Sequence, residues 1–396
     1  MKFLHLADLH LDSPLQTQAA RNAAMGAHLA VASRAVLRRA VDAALAHDVD
    51  AVLLAGDTFD AGVADVSSRA ALAAEIARLA RAGIPTLLIQ GNHDALLDLD
   101  RFGPVSDALT LLTPDAPTVR IGRAAIHGIG LSGGRVPESL LPRYPAPEPG
   151  VWNLGLMHSS LDGTAGHDPY APCALADLMS HGYDYWALGH IHKRSEHRGE
   201  TSLVVMPGIP QGRSIREVDG GTATLVTIDL DGVRARELPL ALMRFERLTL
   251  PLDGATDQAG RDARLRAAFE AAVRDDVAVA LRVEATGLPA EIGDPVMLEA
   301  QAAHAIRDLP DLYLDRFTVR LAARDDAEAP DTLVRYMRED AGGPGFRDEA
   351  AAQIEALRKA LPAEIRDSLD PADLDGLIAE GIDRLALRLG GARSDA

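Results

Sequence analysis

Five short polar clusters in this chain each stand directly behind an apolar run, and that arrangement restricts the fold more than any other feature. The clusters are Asp8-Leu9-His10, Gly56-Asp57-Thr58-Phe59-Asp60, Gly91-Asn92-His93-Asp94, His158 and Gly189-His190-Ile191-His192. The runs before them, at 3–7, 51–55, 86–90, 151–157 and 185–188, have the length and composition of buried strands. Between them, helices are predicted over 34–47 and 66–81, the second ended by Gly83 and Pro85. This strand–helix rhythm predicts a central sheet covered on both faces. In open α/β sheets ligands gather at the carboxyl ends of the strands. Five clusters far apart in sequence can therefore meet in one crevice.

Further strands are predicted at 124–129, 203–206, 222–228 and 233–238. Being short and set between Gly-rich turns, they predict a second, more antiparallel sheet packed on the first. The Pro-rich stretch 142–149 reads as a surface loop, and a boundary falls near 241–247. Beyond it, 248–252, 261–274, 277–285, 295–307 and 313–321 read strand, helix, strand, helix, strand. Asp294 and Pro295 supply an N-cap and a first helical residue for this small α+β unit. Residues 325–347, acidic and then Gly/Pro-rich, read as a linker. The chain from 348 onward reads helical, with Asp370-Pro371 as a helix start. Leu374, Leu377, Ile378, Ile382, Leu385 and Leu389 then form an apolar stripe. Three regions are thus expected: 1–240, 245–325 and 348–396.

The residue types match one chemistry. A phosphodiester is anionic and repels a nucleophile. Two cations about 3.5–4 Å apart neutralise it, clamp the attacking and leaving oxygens, and make a hydroxide available near neutral pH. Holding them takes mixed oxygen and nitrogen ligands with one bridging carboxylate. Asp, His and Asn supply that set, which suits Mn, Fe or Zn better than Ca. Asp-x-His, Gly-Asp or Gly-His-x-His alone is a weak signal. The five clusters in this order are a strong one, even in a chain with 13 His.

The same clusters resemble the pattern of the calcineurin-like metallophosphoesterases over roughly residues 1–240, with none missing. The resemblance narrows toward the SbcD/YhaO-type DNA repair exonucleases in the opening run from Phe3 through Asp8, His10 and Asp12 to Leu15. It narrows likewise in Gly166 to Cys173, in Tyr183 to Lys193 and in Gln211-Gly212-Arg213. It implies an α/β (α+β) fold: a four-layer β-sandwich flanked by helices, with a small α+β cap facing DNA and a helical C-terminal tail. Asp8, His10 and His192 would hold one metal, Asn92, His158 and His190 the other, and Asp57 would bridge. His93 would act on the leaving oxygen as a general acid, with Asp60 orienting it. Archaeal and eukaryotic relatives often have a His where Asp60 stands. The metals implied are most often Mn, with Fe or Zn as alternatives. The family works with DNA and with an SMC-like coiled-coil ATPase, for which the stripe from Leu374 is a candidate docking helix. A homodimer is also implied.

Other residues carry competing readings. Arg213 can bind a phosphate or form a surface ion pair, His167 can line the pocket or serve its loop, and Asp12 and Ser13 can contact substrate or shape a turn. His5 and His127 read as core histidines on strands. Cys173, the only cysteine, excludes an intrachain disulfide and fits a reducing cytoplasm. No cleavage site follows the first strand, so no signal peptide is expected. No apolar run approaches the ~18 residues of a membrane span. The net charge of −18 weighs against broad affinity for nucleic acid. It keeps a small phosphodiester or cyclic nucleotide open as the substrate beside DNA. A third reading is a mainly regulatory subunit of the ATPase.

Overall fold

The computed structural model describes residues 1–13, 22–60, 66–94, 108–130, 136–161, 170–218, 220–255, 257–288, 295–321, 330–360 and 374–391. These residues divide into two compact units. One holds residues 1–13 with Ala23–Glu246 and Arg274–Ala280; the other holds Arg247–Val273 and the described residues from Leu281 onward.

In the first unit, β1 (Lys2–Leu6), β2 (Ala51–Ala55), β3 (Thr86–Ile89) and β4 (Leu109–Leu111) run parallel, Leu4 beside Val52 and Leu54 beside Leu88. The helices α1 (Ala23–Ala30), α2 (Ala32–His47) and α3 (Val66–Arg81) lie in the connections. A second sheet follows the order β5 (Thr118–Ile121), β6 (Ala124–Gly128), β7 (Trp152–His158), β8 (Tyr185–Gly189), β10 (Leu203–Met206) and β9 (Ser195–Arg198), with α4 at Leu175–Ser180. The last strands, β11 (Thr222–Asp229) and β12 (Gly232–Pro239), return to the first sheet, β11 pairing antiparallel with β1.

The second sheet corrects the expectation of antiparallel pairing. Its centre, β6-β7-β8-β10, is parallel, and only its edges β5 and β9 are antiparallel. Parallel strands are buried on both faces and read as unbroken apolar runs. In β1, Leu4 and Leu6 pack with Val36, Leu37 and Val41 of α2 and Leu72 and Ile76 of α3. Phe3 turns the other way, joining Leu53 and Leu87 against Ile126, Leu154, Leu156 and Val205 of the second sheet. The far face of the second sheet is covered by Tyr144, Leu178 of α4, Tyr183 and Trp186. Helices, sheet, sheet and outer cover make four layers of a mixed α/β fold.

A third sheet of three strands, β13 (Met243–Pro251), β14 (Ala278–Leu288) and β15 (Leu312–Leu321), lies mostly in the second unit, with α5 (Gln258–Ala272) and α6 (Pro295–Ile306). Asp257 caps α5 by accepting the Gly260 N–H at 2.8 Å. From Pro330 the predicted linker is helical instead, its residues 325–329 lying outside the described ones: α7 spans Pro330–Ala341 and α8 Pro344–Ala360, followed by α9 at Leu374–Gly391. Both α7 and α8 begin on a proline, whose fixed φ suits the first helical turn. Gly342 and Gly343 only mark the break between them, their N–H groups closing on Arg338 and Asp340 carbonyls. The Asp370-Pro371 start lies outside the described residues. On α9 Ile382 is buried, whereas Leu377 and Leu385 are exposed. Among the described residues, no helix is long and apolar enough to cross a membrane.

Candidate metal centre

Parallel strands of both sheets deliver the clusters. Asp8 and His10 follow β1, Asp57 and Asp60 follow β2, Asn92, His93 and Asp94 follow β3, and His190 and His192 follow β8. His158 is the last residue of β7. Contacts between the sheets bring all of these strand ends together. The His158 Nδ1 lies 2.9 Å from the Ala55 carbonyl oxygen, and the His190 N–H donates to both Asp8 carboxylate oxygens at 3.1 and 3.2 Å.

The backbone here is held in an uncommon conformation. Asp8, His10, Asp12, Asp57 and His190 all have positive φ, at 54°, 41°, 59°, 50° and 102°. Side chains other than glycine rarely adopt this region, and such strain clusters at ligand clamps. Two glycines make room for it. A Cβ on Gly56, itself at φ 90°, would stand 2.5 Å from His158 Nδ1, and one on Gly91 would overlap the Asp57 carboxylate.

Three overlapping groups of donors converge within 4.8 Å: Asp8, His10 and His192; Asp8, Asp57 and His158; and His10, Asp60 and His93. His10 Nε2 and His192 Nε2 are 3.2 Å apart. Asn92 Oδ1 lies 2.9 Å from His158 Nε2 and 3.1 Å from His190 Nδ1. Asp57 Oδ2 lies 3.4 Å from His158 Nε2 and 3.7 Å from His10 Nε2. Asp57 is thus the carboxylate that faces both sets.

The electrostatics call for positive charge at this point. Burial lowers His10 to about 4. Burial also opposes the charged form of His158, but the Asp57 and Asp8 carboxylates outweigh it and raise that imidazole to about 9. Its Nδ1 must donate to the Ala55 carbonyl, which can only accept. Nε2 then faces two acceptors, Asn92 Oδ1 and Asp57 Oδ2, a place that asks for a proton or a cation. Burial pushes Asp8 up, while the imidazoles around Asp57 overcome its burial and hold it far below the carboxylate range. Two buried carboxylates among neutral-capable imidazoles fit a pair of divalent cations by donor chemistry.

His93 stands at the edge of this cluster, its side chain 35% exposed, with Nδ1 2.7 Å from Asp60 Oδ1. That bond raises the His93 pKa. Asp60 also accepts from Ser13 Oγ at 2.6 Å. Ser13 thus serves the site's own scaffold. So does Asp12, which takes two donor nitrogens of Arg34 and the Ser68 hydroxyl. Arg213 is turned inward as well: Nη2 is 3.2 Å from Glu217 Oε1, and Nη1 is 3.7 Å from Asp60 Oδ2 and 3.4 Å from Ser13 Oγ. His5 and His127 are buried within the sandwich, as expected. His167 lies outside the described residues.

Two residues of the site carried no role in the sequence reading. Asp94 is buried and accepts the N–H groups of Thr58 and Phe59 at 2.9 Å and of Gly91 at 3.3 Å, tying the β2 loop to the β3 loop. Burial and the Asp57 charge push it up to about 7 against those donors. Its place in Gly-Asn-His-Asp was the available signal. Glu217 accepts from His192 Nδ1 at 2.7 Å and from the Arg213 N–H at 2.5 Å. It lies 25 positions beyond His192 in a short 3-10 turn, and nothing in its sequence spacing marks it.

The strand-end cluster of Asp, Asn and His across two facing sheets is a candidate dimetal centre. Residues 1–194 match the family described as calcineurin-like phosphoesterase, and this part of the chain is a domain of that family. Such domains use a dimetal centre to hydrolyse phosphoesters. Among curated proteins, the chain is 34% identical over 223 residues to the uncharacterized metallophosphoesterase YhaO of Bacillus subtilis (strain 168), covering 55% of each chain. It is 27% identical over 193 residues to the DNA double-strand break repair protein Mre11 of Sulfurisphaera tokodaii, covering 46% of this chain and 48% of that one. The matches therefore span about half the length of these relatives. Among solved structures, TT1561 of Thermus thermophilus aligns over 59% of this chain and 97% of its own. Its TM-score is 0.37 and its identity 15%.

Proposed function

We propose that this protein is a metal-dependent DNA nuclease of the repair type that cleaves phosphodiesters at DNA ends. The observation that carries the reading is the Asp60–His93 pair at the exposed edge of a converged Asp/Asn/His ligand set. Asp8, His10 and His192 would hold one cation, Asn92, His158 and His190 the second, and Asp57 would bridge them. Bound cations, most often Mn in this reading, supply charge neutralisation and a nucleophile at neutral pH. His93, oriented by Asp60 through Nδ1, would protonate the leaving oxygen as a general acid.

The choice of DNA is supported by the strings around Phe3–Asp12, Tyr183–Lys193 and Gln211–Arg213. The 27% identity to a relative named as a DNA double-strand break repair protein also supports it. An SMC-like ATPase is the partner this reading brings, supported by the exposed Leu377 and Leu385 on α9. The reading places the enzyme in the cytoplasm, in keeping with its single buried thiol, Cys173. The net charge of −18 favours a second reading, a small phosphodiester or cyclic nucleotide as substrate. The deciding experiment compares end-labelled linear DNA with bis-p-nitrophenyl phosphate in the presence of Mn. Cleavage of both, lost in His93→Gln, supports the nuclease. Cleavage of the small ester alone supports the second reading.

A further inference from the structure

We infer that Glu217 and Arg213, on the loop after β10, are positioning residues that join one half of the metal centre to the acid half. The inference rests on the metal-centre reading above and adds to it. His192 Nδ1 has two neighbours: Glu217 Oε1 at 2.7 Å and Arg213 Nη2 at 3.4 Å. The shorter contact is to a group that only accepts, so Nδ1 carries the hydrogen. That fixes the tautomer. The lone pair is left on Nε2, which points at His10 Nε2 across 3.2 Å and belongs to the group with Asp8. A carboxylate behind a ligating imidazole also raises its donor strength.

Glu217 is itself held in place. Its Oε2 accepts the Arg213 N–H at 2.5 Å, and its Oε1 meets Arg213 Nη2 at 3.2 Å. The same guanidinium turns its other nitrogen toward Asp60 Oδ2 at 3.7 Å and Ser13 Oγ at 3.4 Å. Asp60 in turn holds His93 through its Oδ1. One run of contacts therefore passes from His192 through Glu217, Arg213 and Asp60 to His93. Arg213 is already engaged with two carboxylates, which leaves it poorly placed to neutralise a substrate phosphate. The −18 chain uses this cation internally.

The test measures Mn binding by titration calorimetry on the full chain, together with kcat and KM on bis-p-nitrophenyl phosphate. Wild type should bind two Mn. Glu217→Ala should weaken one of the two by about 10–100-fold and spare the other. Glu217→Gln, which keeps an acceptor oxygen, should recover most of that affinity, which guards against simple misfolding. Arg213→Met should lower kcat at least tenfold with KM within about twofold of wild type. Wild-type binding of both metals in Glu217→Ala overturns the inference. So does a tenfold rise in KM with unchanged kcat in Arg213→Met, because that is a substrate contact. If wild type binds no metal, the metal-centre reading itself fails, a result separate from either of these.

Discussion

At the scale of single residues, the charges in the centre make His93 and Asp57 separable. His93 holds Asp60 through Nδ1, donates its backbone N–H to Asp57 Oδ1 at 2.9 Å and sets its ring edge-on to His10; in the proposed reading it stands beside the ligands as the acid. His93→Gln is expected to keep two bound Mn and to lose turnover by about 10²–10⁴, the range of a general acid. Metal analysis of the purified variant checks the first half, and loss of metal would refute the role. Asp57→Asn should disturb both metal positions at once, since Asp57 faces both. His5 offers a test of the sandwich away from the centre. Its Nε2 must donate to the Leu188 carbonyl at 2.9 Å, and its Nδ1 then accepts from the Tyr185 hydroxyl at 2.9 Å, so the neutral ring is fully bonded. Burial lowers its pKa to about 3. The unfolded chain, near 6.5, takes the proton first. Stability due to this group is therefore full above about pH 6.5 and falls as pH drops toward 3, by up to ~1.4 kcal/mol per pH unit. Urea unfolding at several pH values should show His5→Gln with a shallower acid slope than wild type; parallel slopes would exclude the effect. The sequence named the candidate ligands because their types are unusual after apolar strands. It could not name Glu217, since a hydrogen bond 25 positions away leaves no spacing signature.

At the scale of elements, the strands that carry the polar clusters and their following turns were legible, whereas Leu109–Leu111, Thr118–Ile121 and the pairing of the second sheet were not. Thr86–Ile89, Val66–Arg81 and the whole β13-α5-β14-α6-β15 series stand close to where periodicity places them. The helix at Pro330–Ala341 and the first turn of Pro344–Ala360, before the expected helical start at 348, were missed because acidic and Gly/Pro-rich composition was taken as breaking structure, although proline at a first helical position favours it. The edge strand β9 was missed for a different reason: Ser195, Glu196, His197 and Arg198 carry no apolar signal, being paired on one side only. The glycines at strand ends make a sharper point. Gly91→Ala places a methyl into the Asp57 carboxylate and 2.6 Å from the Asp57 nitrogen. It should cost about 1–3 kcal/mol of stability as overpacking and remove most activity, because the Asp57 carboxylate must move. Gly150→Ala, at φ 78° with nothing within 4 Å, isolates the conformational cost alone. It should cost about 1 kcal/mol with activity intact. Equal activity in the two variants would show that the crowding at Gly91 is relieved cheaply.

At the scale of the whole molecule, the sheets build the centre and the centre in turn holds the sheets. Between the sheets the packing is apolar, from Phe3 and Leu53 to Leu154 and Val205. At the strand ends it becomes polar: Ala55 to His158, Asp8 to His190, His10 to His192. This convergence was readable from sequence as a topological expectation, because parallel strands place their carboxyl ends on one edge. That a second sheet packs on the first was expected too; which strands join it, and in which direction, was not, since that depends on pairings between residues far apart in the chain that no local pattern encodes. The consequence is measurable. Cations that bind the folded centre and not the unfolded chain stabilise by mass action, about 2.7 kcal/mol at a hundred times Kd. Chelation should therefore lower the unfolding temperature, by a few degrees for a domain of this size. Hydrogen exchange should locate the effect. Metal should slow exchange at residues 7–13, 56–60, 91–94, 158–160 and 189–192, where strands from both sheets meet. It should leave the β13-β14-β15 sheet unchanged. Protection spread evenly over both units would mean that the cations act on the chain in general, and the centre would not be the element that clamps the two sheets.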